Sequence, residues 1–323
     1  MTRVIVTDHV FGGLDIERAV LEPLGAEVVM APAADEDTLV GLFAGGVDGL
    51  LVCFAPVGER VVQAAADAGC RVISRYGIGF DNVDVETASA NGIVVTRVPD
   101  YCLDEVADHA LALLLAAARG ISAGQAEVRS GGWTVPRNVN RLRGRRLALV
   151  GVGQIGLRLA ARAAALGLQV VAYDPFVRDW PLGIERAETL EDALAEADVV
   201  SLHAPMTPEN EGLIGERTIA AMRRAPIVVN TARGGLIDLE AATAALQDGR
   251  LSGLALDVVD PEPLPADHPL RTHPRAIITP HMAFYSVEAE QELQRRAADE
   301  VARALRGEPA DVPVNADALA ARG

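Results

Sequence analysis

The sequence predicts an α/β protein built from two doubly wound parallel-sheet domains, and three observations predict it. Short β-branched runs alternate with helix-period segments along nearly the whole chain, the pattern of βαβ units. The strand-like runs fall into two series, the second starting at Arg145, with no linker rich in Pro, Gly or Ser between them and no short-period repeat. A long helical segment is left over after the last strand candidate and needs an apolar surface to cover.

The opening TRVIVTDHV reads as a first strand near Val4 and lacks the charged start and apolar core of a signal peptide. EVVMA at Glu27, GLLVC at Gly49, RVIS at Arg71 and GIVVT at Gly92 continue the first series. Helix-like segments such as ERVVQAAADAG, stopped at Gly69, lie between them. The apolar run from Ala110 to Ala118 is well short of the ~20 residues that cross a bilayer. It reads as a buried helix that joins the two series from about Cys102. RLALV, LQVVAY, DVVSLHA, PIVVNTA, GLALDVV and AIITP then give six strands, the number in a dinucleotide-binding sheet. The leftover helix ends at Gly307 and is expected to complete the first domain. The first domain is therefore expected to be discontinuous, residues 1–101 and 284–323, around a second domain of residues 102–283.

Composition narrows the function. Half of the 323 residues are hydrophobic and 23% charged, a soluble globular profile whose expected compartment is the cytoplasm. A formal charge of −16 argues against nucleic acid, which needs clustered cations to replace counterions. The chain has no lysine, so arginine and histidine carry all of its basic chemistry. Three cysteines, Cys53, Cys70 and Cys102, are odd in number and lack metal-ligand spacing, so neither a disulfide framework nor a metal site is expected.

The stretch LALVGVGQIGLRLAARAAALG spaces Gly151, Gly153 and Gly156 as GxGxxG, between a strand candidate and a helix closed at Gly167. The first glycine permits a tight turn, the second lets the backbone approach a pyrophosphate, and the third allows close helix–strand packing. Amides at Gln154 and Ile155 then face the anion from a helix N-terminus. Asp174 ends the next strand, about twenty residues on, where an acid holds ribose hydroxyls and repels a 2′-phosphate. That favours NAD over NADP and marks the fold as Rossmann-like. The plainer alternative is a glycine turn without ligand and an Asp174 that caps the turn at Pro175.

Three more segments end later strands, where ligands bind in open α/β sheets: VVNTARGG with Arg233, LALDVVDPEP with Asp257 and Glu262, and ITPHMAFYS with His281. An arginine fork grips a carboxylate bidentately. A histidine exchanges the proton that accompanies hydride transfer to a ketone, and a neighbouring glutamate favours its charged form. Each also has a structural reading: Arg233 paired with Asp238, Glu262 solvated in a proline-rich turn, His281 hydrogen-bonded in a core. Of the other histidines, His203 ends a strand beside the cofactor cleft, while His9, His109, His268 and His273 show no partner pattern.

The ordered set GVGQIG, YDP, NTARGG, DVVDPEP and TPHMAFYS closely resembles the D-isomer-specific 2-hydroxyacid dehydrogenase family over nearly the whole chain. The resemblance implies an NAD-dependent enzyme that reduces a 2-oxo acid reversibly to a D-2-hydroxy acid, a cleft between the domains, and a homodimer through the cofactor domains. It places the general acid/base on His281, its orienting glutamate on Glu262, the substrate-binding arginine on Arg233 and the carboxamide-holding aspartate on Asp257. Further cofactor contacts fall on His203, Thr207, Thr231, Ala232, Arg233 and His281. SRYGIGFDNVD resembles the substrate-carboxylate loop, which puts Arg75, Gly77, Ile78 and Gly79 at the substrate, with Phe284 in its pocket.

Within the family, RYGIGFDNVD and HMAFYS look most like the C-terminal-binding-protein co-repressors and their bacterial relatives. That branch offers the alternative of an NAD(H)-sensing interaction protein with little catalysis. Glu262 stands where the family's formate dehydrogenases carry glutamine, which disfavours formate. Cys53 stands where many phosphoglycerate dehydrogenases have a phosphate-binding arginine, and the chain ends at Gly323 without their regulatory domain, so phosphoglycerate is not the preferred substrate.

Overall fold

The computed structural model describes residues 2–135 and 139–321, so the expected domain limits at residues 1 and 323 lie outside it. Contacts divide the chain into two compact units, Met1–Tyr101 with Ser286–Gly323, and Cys102–Tyr285. The chain returns to the first unit two residues later than the sequence reading places it, so Phe284 sits in the second unit. The cause is local: the Met282 and Ala283 amides donate to the Asp257 carboxylate and tie this segment to the second sheet.

The first unit holds a five-stranded parallel sheet of β1 (Thr2–Val6), β2 (Ala26–Met30), β3 (Gly49–Val52), β4 (Val72–Arg75) and β5 (Val94–Thr96), in the order β2-β1-β3-β4-β5. Winding changes direction between β1 and β3, a doubly wound order. One face packs Ile5, Leu50, Val52 and Ile73 against Leu39, Phe43, Val62 and Ala65 of the intervening helices.

The leftover helix, Val287–Arg306, belongs to this unit, begun by the Ser286 hydroxyl on the Ala289 amide and ended by Gly307 at φ +73. It buries Leu293, Ala297, Ala298 and Val301, and Ser74 Oγ donates to the Ala297 carbonyl at 3.0 Å. A Cβ on Gly49 would lie 3.0 Å from Val301 Cγ1, so a larger residue would hold the helix off the sheet. Beyond it, the Val314 amide donates to the Val95 carbonyl, and the buried Asn315 binds the Val95 amide, the Ile93 carbonyl and Ser89 Oγ.

The second unit holds a seven-stranded parallel sheet: β6 (Arg146–Val150), β7 (Gln169–Tyr173), β8 (Glu185–Arg186), β9 (Val199–Leu202), β10 (Ile227–Asn230), β11 (Gly253–Leu256) and β12 (Ala276–Ile278). Its order is β12-β11-β10-β9-β6-β7-β8, with the switch point between β6 and β9. Alternate residues of one strand enter opposite cores: Ala148 and Val150 on one face, Leu147 and Leu149 on the other. Burial on both faces is why these strands read as continuous apolar runs. The seventh strand, β8, has no counterpart among the six expected; its two residues are charged and exposed, and it carries no apolar signal.

The joining helix Leu103–Arg119 stops at Gly120, φ +62, and a second helix, Ile121–Arg129, follows. Among the described residues no single helix is long and apolar enough to cross a membrane; these two qualify only as a pair bent by 63°.

Asn315 is the side chain that fastens the returning segment to β5. Asn315→Leu keeps the volume but leaves the buried Val95 amide and Ile93 carbonyl unpaired, at about 1–3 kcal/mol for each. Urea unfolding should show a loss of about 2 kcal/mol or more, and an unchanged midpoint would remove the latch.

Candidate active site

The switch point of the second sheet is where the glycine motif lies. Gly151 has φ +99, and a Cβ there would sit 2.8 Å from the His203 carbonyl carbon, so the β6 turn abuts the end of β9 and only glycine fits. A Cβ on Gly156 would lie 2.5 Å from the Gly151 carbonyl oxygen, whereas Gly153 has no neighbour within 4 Å. The first and third positions are closed by protein and the middle one is open, as a backbone approached by pyrophosphate requires. Gly153 begins the helix Gln154–Ala165 and offers no side-chain cap to its first amides.

Asp174 directly follows β7 and is half-buried, accepting the Val152 amide at 3.0 Å and the Phe176 amide at 3.0 Å. The turn-capping role and the position beside the glycine loop therefore coexist in one carboxylate. His203 bonds Ser201 Oγ at 2.9 Å, and burial pushes its imidazole down to about 4, leaving it neutral. Thr207 begins the short turn Pro208–Asn210 and donates its amide to Asn210 Oδ1.

The turn after β10 is shaped by a residue that the sequence reading misses. Asn230, fully buried, accepts the Ala232 amide at 3.0 Å and donates to the Arg233 carbonyl at 2.8 Å, and so bends NTARGG back on itself. Thr231 Oγ1 is buried in this turn without a hydrogen-bond partner, a polar atom left for a ligand. A Cβ on Gly234 would lie 2.1 Å from the Val259 carbonyl carbon, so the Arg233 turn lies directly against the segment that carries Glu262. The Arg233 guanidinium donates to the Ala232 carbonyl at 2.8 Å.

Glu262 links two neighbours. Oε1 accepts the Val259 amide at 3.0 Å, and Oε2 meets His281 Nδ1 at 2.8 Å, with the two side chains 37% and 27% exposed. His281 has φ +50, a left-handed backbone that a non-glycine residue keeps only when its surroundings hold it. Its amide lies 2.8 Å from the Asp257 carbonyl oxygen and 3.0 Å from that of Thr279.

Asp257, expected to hold a cofactor carboxamide, also organises the loop that carries His281. Its side chain is 1% exposed, and its oxygens accept Thr279 Oγ1 at 2.5 Å and the amides of Met282 at 3.0 Å and Ala283 at 2.8 Å. Burial pushes this carboxyl up, but His109, Thr279 and the two amides outweigh it and hold the group below the ordinary carboxylate value. It builds the His281 loop from beneath.

The remaining expected residues divide between the two units. In the first, Gly77 has φ +146, and a Cβ there would fall 2.0 Å from Arg75 Nη1, so the guanidinium lies against the glycine. The Gly77 carbonyl accepts the Val98 amide at 3.0 Å and the Ile78 carbonyl accepts Arg97 Nη1 at 3.3 Å, drawing both carbonyls inward, while Ile78 and Gly79 are half-exposed. Arg75 is buried, bonds Asn82 and lies 5.9 Å from the Phe54 ring centroid. In the second unit, Phe284 is half-buried and meets Tyr285 edge-on at 6.5 Å.

The glycine cradle, the uncapped helix start and the orphaned Thr231 hydroxyl fit a dinucleotide. Residues 111–283 match the D-isomer specific 2-hydroxyacid dehydrogenase, NAD binding domain. The chain is 35% identical over 98% of its length to D-3-phosphoglycerate dehydrogenase of Methanocaldococcus jannaschii, of which it spans only 60%. It is 34% identical to glyoxylate reductase of Thermofilum pendens over 93% of this chain and 87% of that protein. Among solved structures, the TT0316 protein from Thermus thermophilus superposes with a TM-score of 0.88 at 38% identity, over 97% of this chain and 100% of the other. Fold, site geometry and relatives agree, and the chain belongs to the D-isomer-specific 2-hydroxyacid dehydrogenase family, with NAD as its cofactor.

Proposed function

We propose that the protein reduces a 2-oxo acid to a D-2-hydroxy acid, reversibly, with His281 as the general acid/base. The observation that carries this reading is the 2.8 Å pair of His281 Nδ1 and Glu262 Oε2 on a loop fixed by Asp257. Glu262 holds Nδ1–H, which sets the ring orientation, so the proton leaves and returns through Nε2. Bound NADH supplies the hydride. Arg233 grips the substrate carboxylate, and His281 gives its proton to the carbonyl oxygen as the carbon is reduced. In the reverse direction His281 takes the proton from the hydroxyl. Arg75 and the turn at Gly77–Gly79 are proposed as anion contacts of the unit that carries them.

The substrate favoured is an unphosphorylated 2-oxo acid. At the position noted above for a phosphate-binding arginine, Cys53 is 3% exposed, and burial pushes its thiol up to about 12, so it brings no charge to that point. Exposed Ile121, Val128 and Trp133 are apolar surface consistent with a homodimer formed by this unit, which belongs to the same proposal.

His281→Ala should lower the rate of 2-oxo acid reduction by roughly 10²–10⁴-fold, the range for a lost general acid, with NADH affinity largely kept. Rapid-reaction NADH oxidation beside fluorescence titration of NADH reads both, and an unchanged rate would remove His281 from the chemistry.

Asp174→Ala should weaken NADH and reduce the discrimination against NADPH. Comparable kcat/KM for the two cofactors in the unaltered protein would contradict the assignment of Asp174 to the ribose.

A further inference from the structure

We propose that His109 is a positioning residue for this reaction, holding the His281 loop through Thr279 and Asp257; the inference rests on the reductase reading above. His109 lies within the helix Leu103–Arg119, 170 residues before Thr279 in sequence, and nothing in its neighbourhood in the chain suggests a partner. In the structure its Nε2 is 3.0 Å from Thr279 Oγ1 and 3.4 Å from Asp257 Oδ1. Thr279 Oγ1 donates its single hydrogen to Asp257 Oδ1, so towards His109 it can only accept. His109 Nε2 must therefore carry a hydrogen, which fixes the ring as a donor into the network.

The network surrounds the strained residue. His281, at φ +50, rests its amide against the carbonyls of Asp257 and Thr279, and the two amides after it, Met282 and Ala283, rest on the Asp257 carboxylate. The Asp257 carboxylate is nearly inaccessible to water, and His109 is the basic side chain placed against it. Without that donor the buried carboxylate loses one of the groups that compensate its charge, and the Thr279 hydroxyl loses a partner. The loop is then free to relax from its left-handed conformation, which shifts the His281–Glu262 pair. A misplacement of ~1 Å at a reacting group can cost on the order of 10²-fold in rate. The glycine loop between β6 and its helix is held by other bonds, so the hold on the cofactor's phosphates, and with it most of the NADH affinity, should be kept when His109 is replaced.

The test compares His109→Leu, which removes the donor, with His109→Gln, whose side-chain amide donates from about the same place. For His109→Leu, kcat for 2-oxo acid reduction should fall by about 10-fold, with the NADH dissociation constant largely unchanged, and His109→Gln should recover most of the loss. Amide hydrogen exchange of residues 279–285 should rise in the Leu variant and return towards the parent level in the Gln variant. Equal losses in both variants would make His109 a packing residue. A Leu variant with parental kcat and parental exchange would overturn the proposal. A parent protein that binds NADH but turns over no 2-oxo acid would overturn the reductase reading, and the role in the reaction with it. The exchange measurement separates the two failures, since it shows without turnover whether His109 holds the loop.

Discussion

The geometry of the His281–Glu262 pair depends on one buried carboxylate. Asp257 follows β11 and collects a hydroxyl and two loop amides, while its own carbonyl receives the His281 amide. These bonds hold His281 in a left-handed backbone conformation, in which Nδ1 meets Glu262. Burial raises the Asp257 pKa, but His109, the Thr279 hydroxyl and the two loop amides together depress it below the ordinary value. A depressed folded pKa contributes stability above the ordinary carboxylate value, and the contribution is lost only as pH falls through the lowered one. The loop is therefore built to keep its shape across the neutral range in which a histidine exchanges protons.

The two sheets treat their switch points differently. In the second, the crevice between β6 and β9 is kept open by Gly153 and bordered by His203, a neutral ring that adds no charge of its own, so backbone amides are left to face an anion there. In the first, the crevice between β1 and β3 is closed by the protein's own Asp8, whose carboxylate accepts the Cys53 amide at 3.2 Å and the Phe54 amide at 2.7 Å. The turn with inward carbonyls is displaced one strand along, to the end of β4, beside Arg75. One topology thus leaves amides open at a glycine in one unit, while in the other Asp8 occupies the corresponding amides.

Much of this is legible in the sequence because it is written locally. Strands buried on both faces read as apolar runs, the glycine spacing reports three steric requirements within six residues, and Arg233, Glu262 and His281 follow three strand ends in order. What is not legible depends on partners far apart in the chain. Asn230 looks like the polar end of a strand until its two bonds across the NTARGG turn are seen. Gly234 looks like half of a flexible pair until the Val259 backbone is found against it. Asp257 reads as a residue beside the site, but its hold on the His281 loop is not legible, since nothing in DVVDPEP shows that the amides of Met282 and Ala283 reach its carboxylate. The exposed β8 carries no periodicity to read.

The measurement that bears most directly on the central claim is reduction of a panel of 2-oxo acids, glyoxylate, pyruvate and bulkier homologues among them, by NADH, with the configuration of each chiral product resolved. NADH-dependent turnover of at least one unphosphorylated acid, with products of D configuration, is the expected result. Tight NADH binding with no turnover across the panel, or products of L configuration, would contradict it.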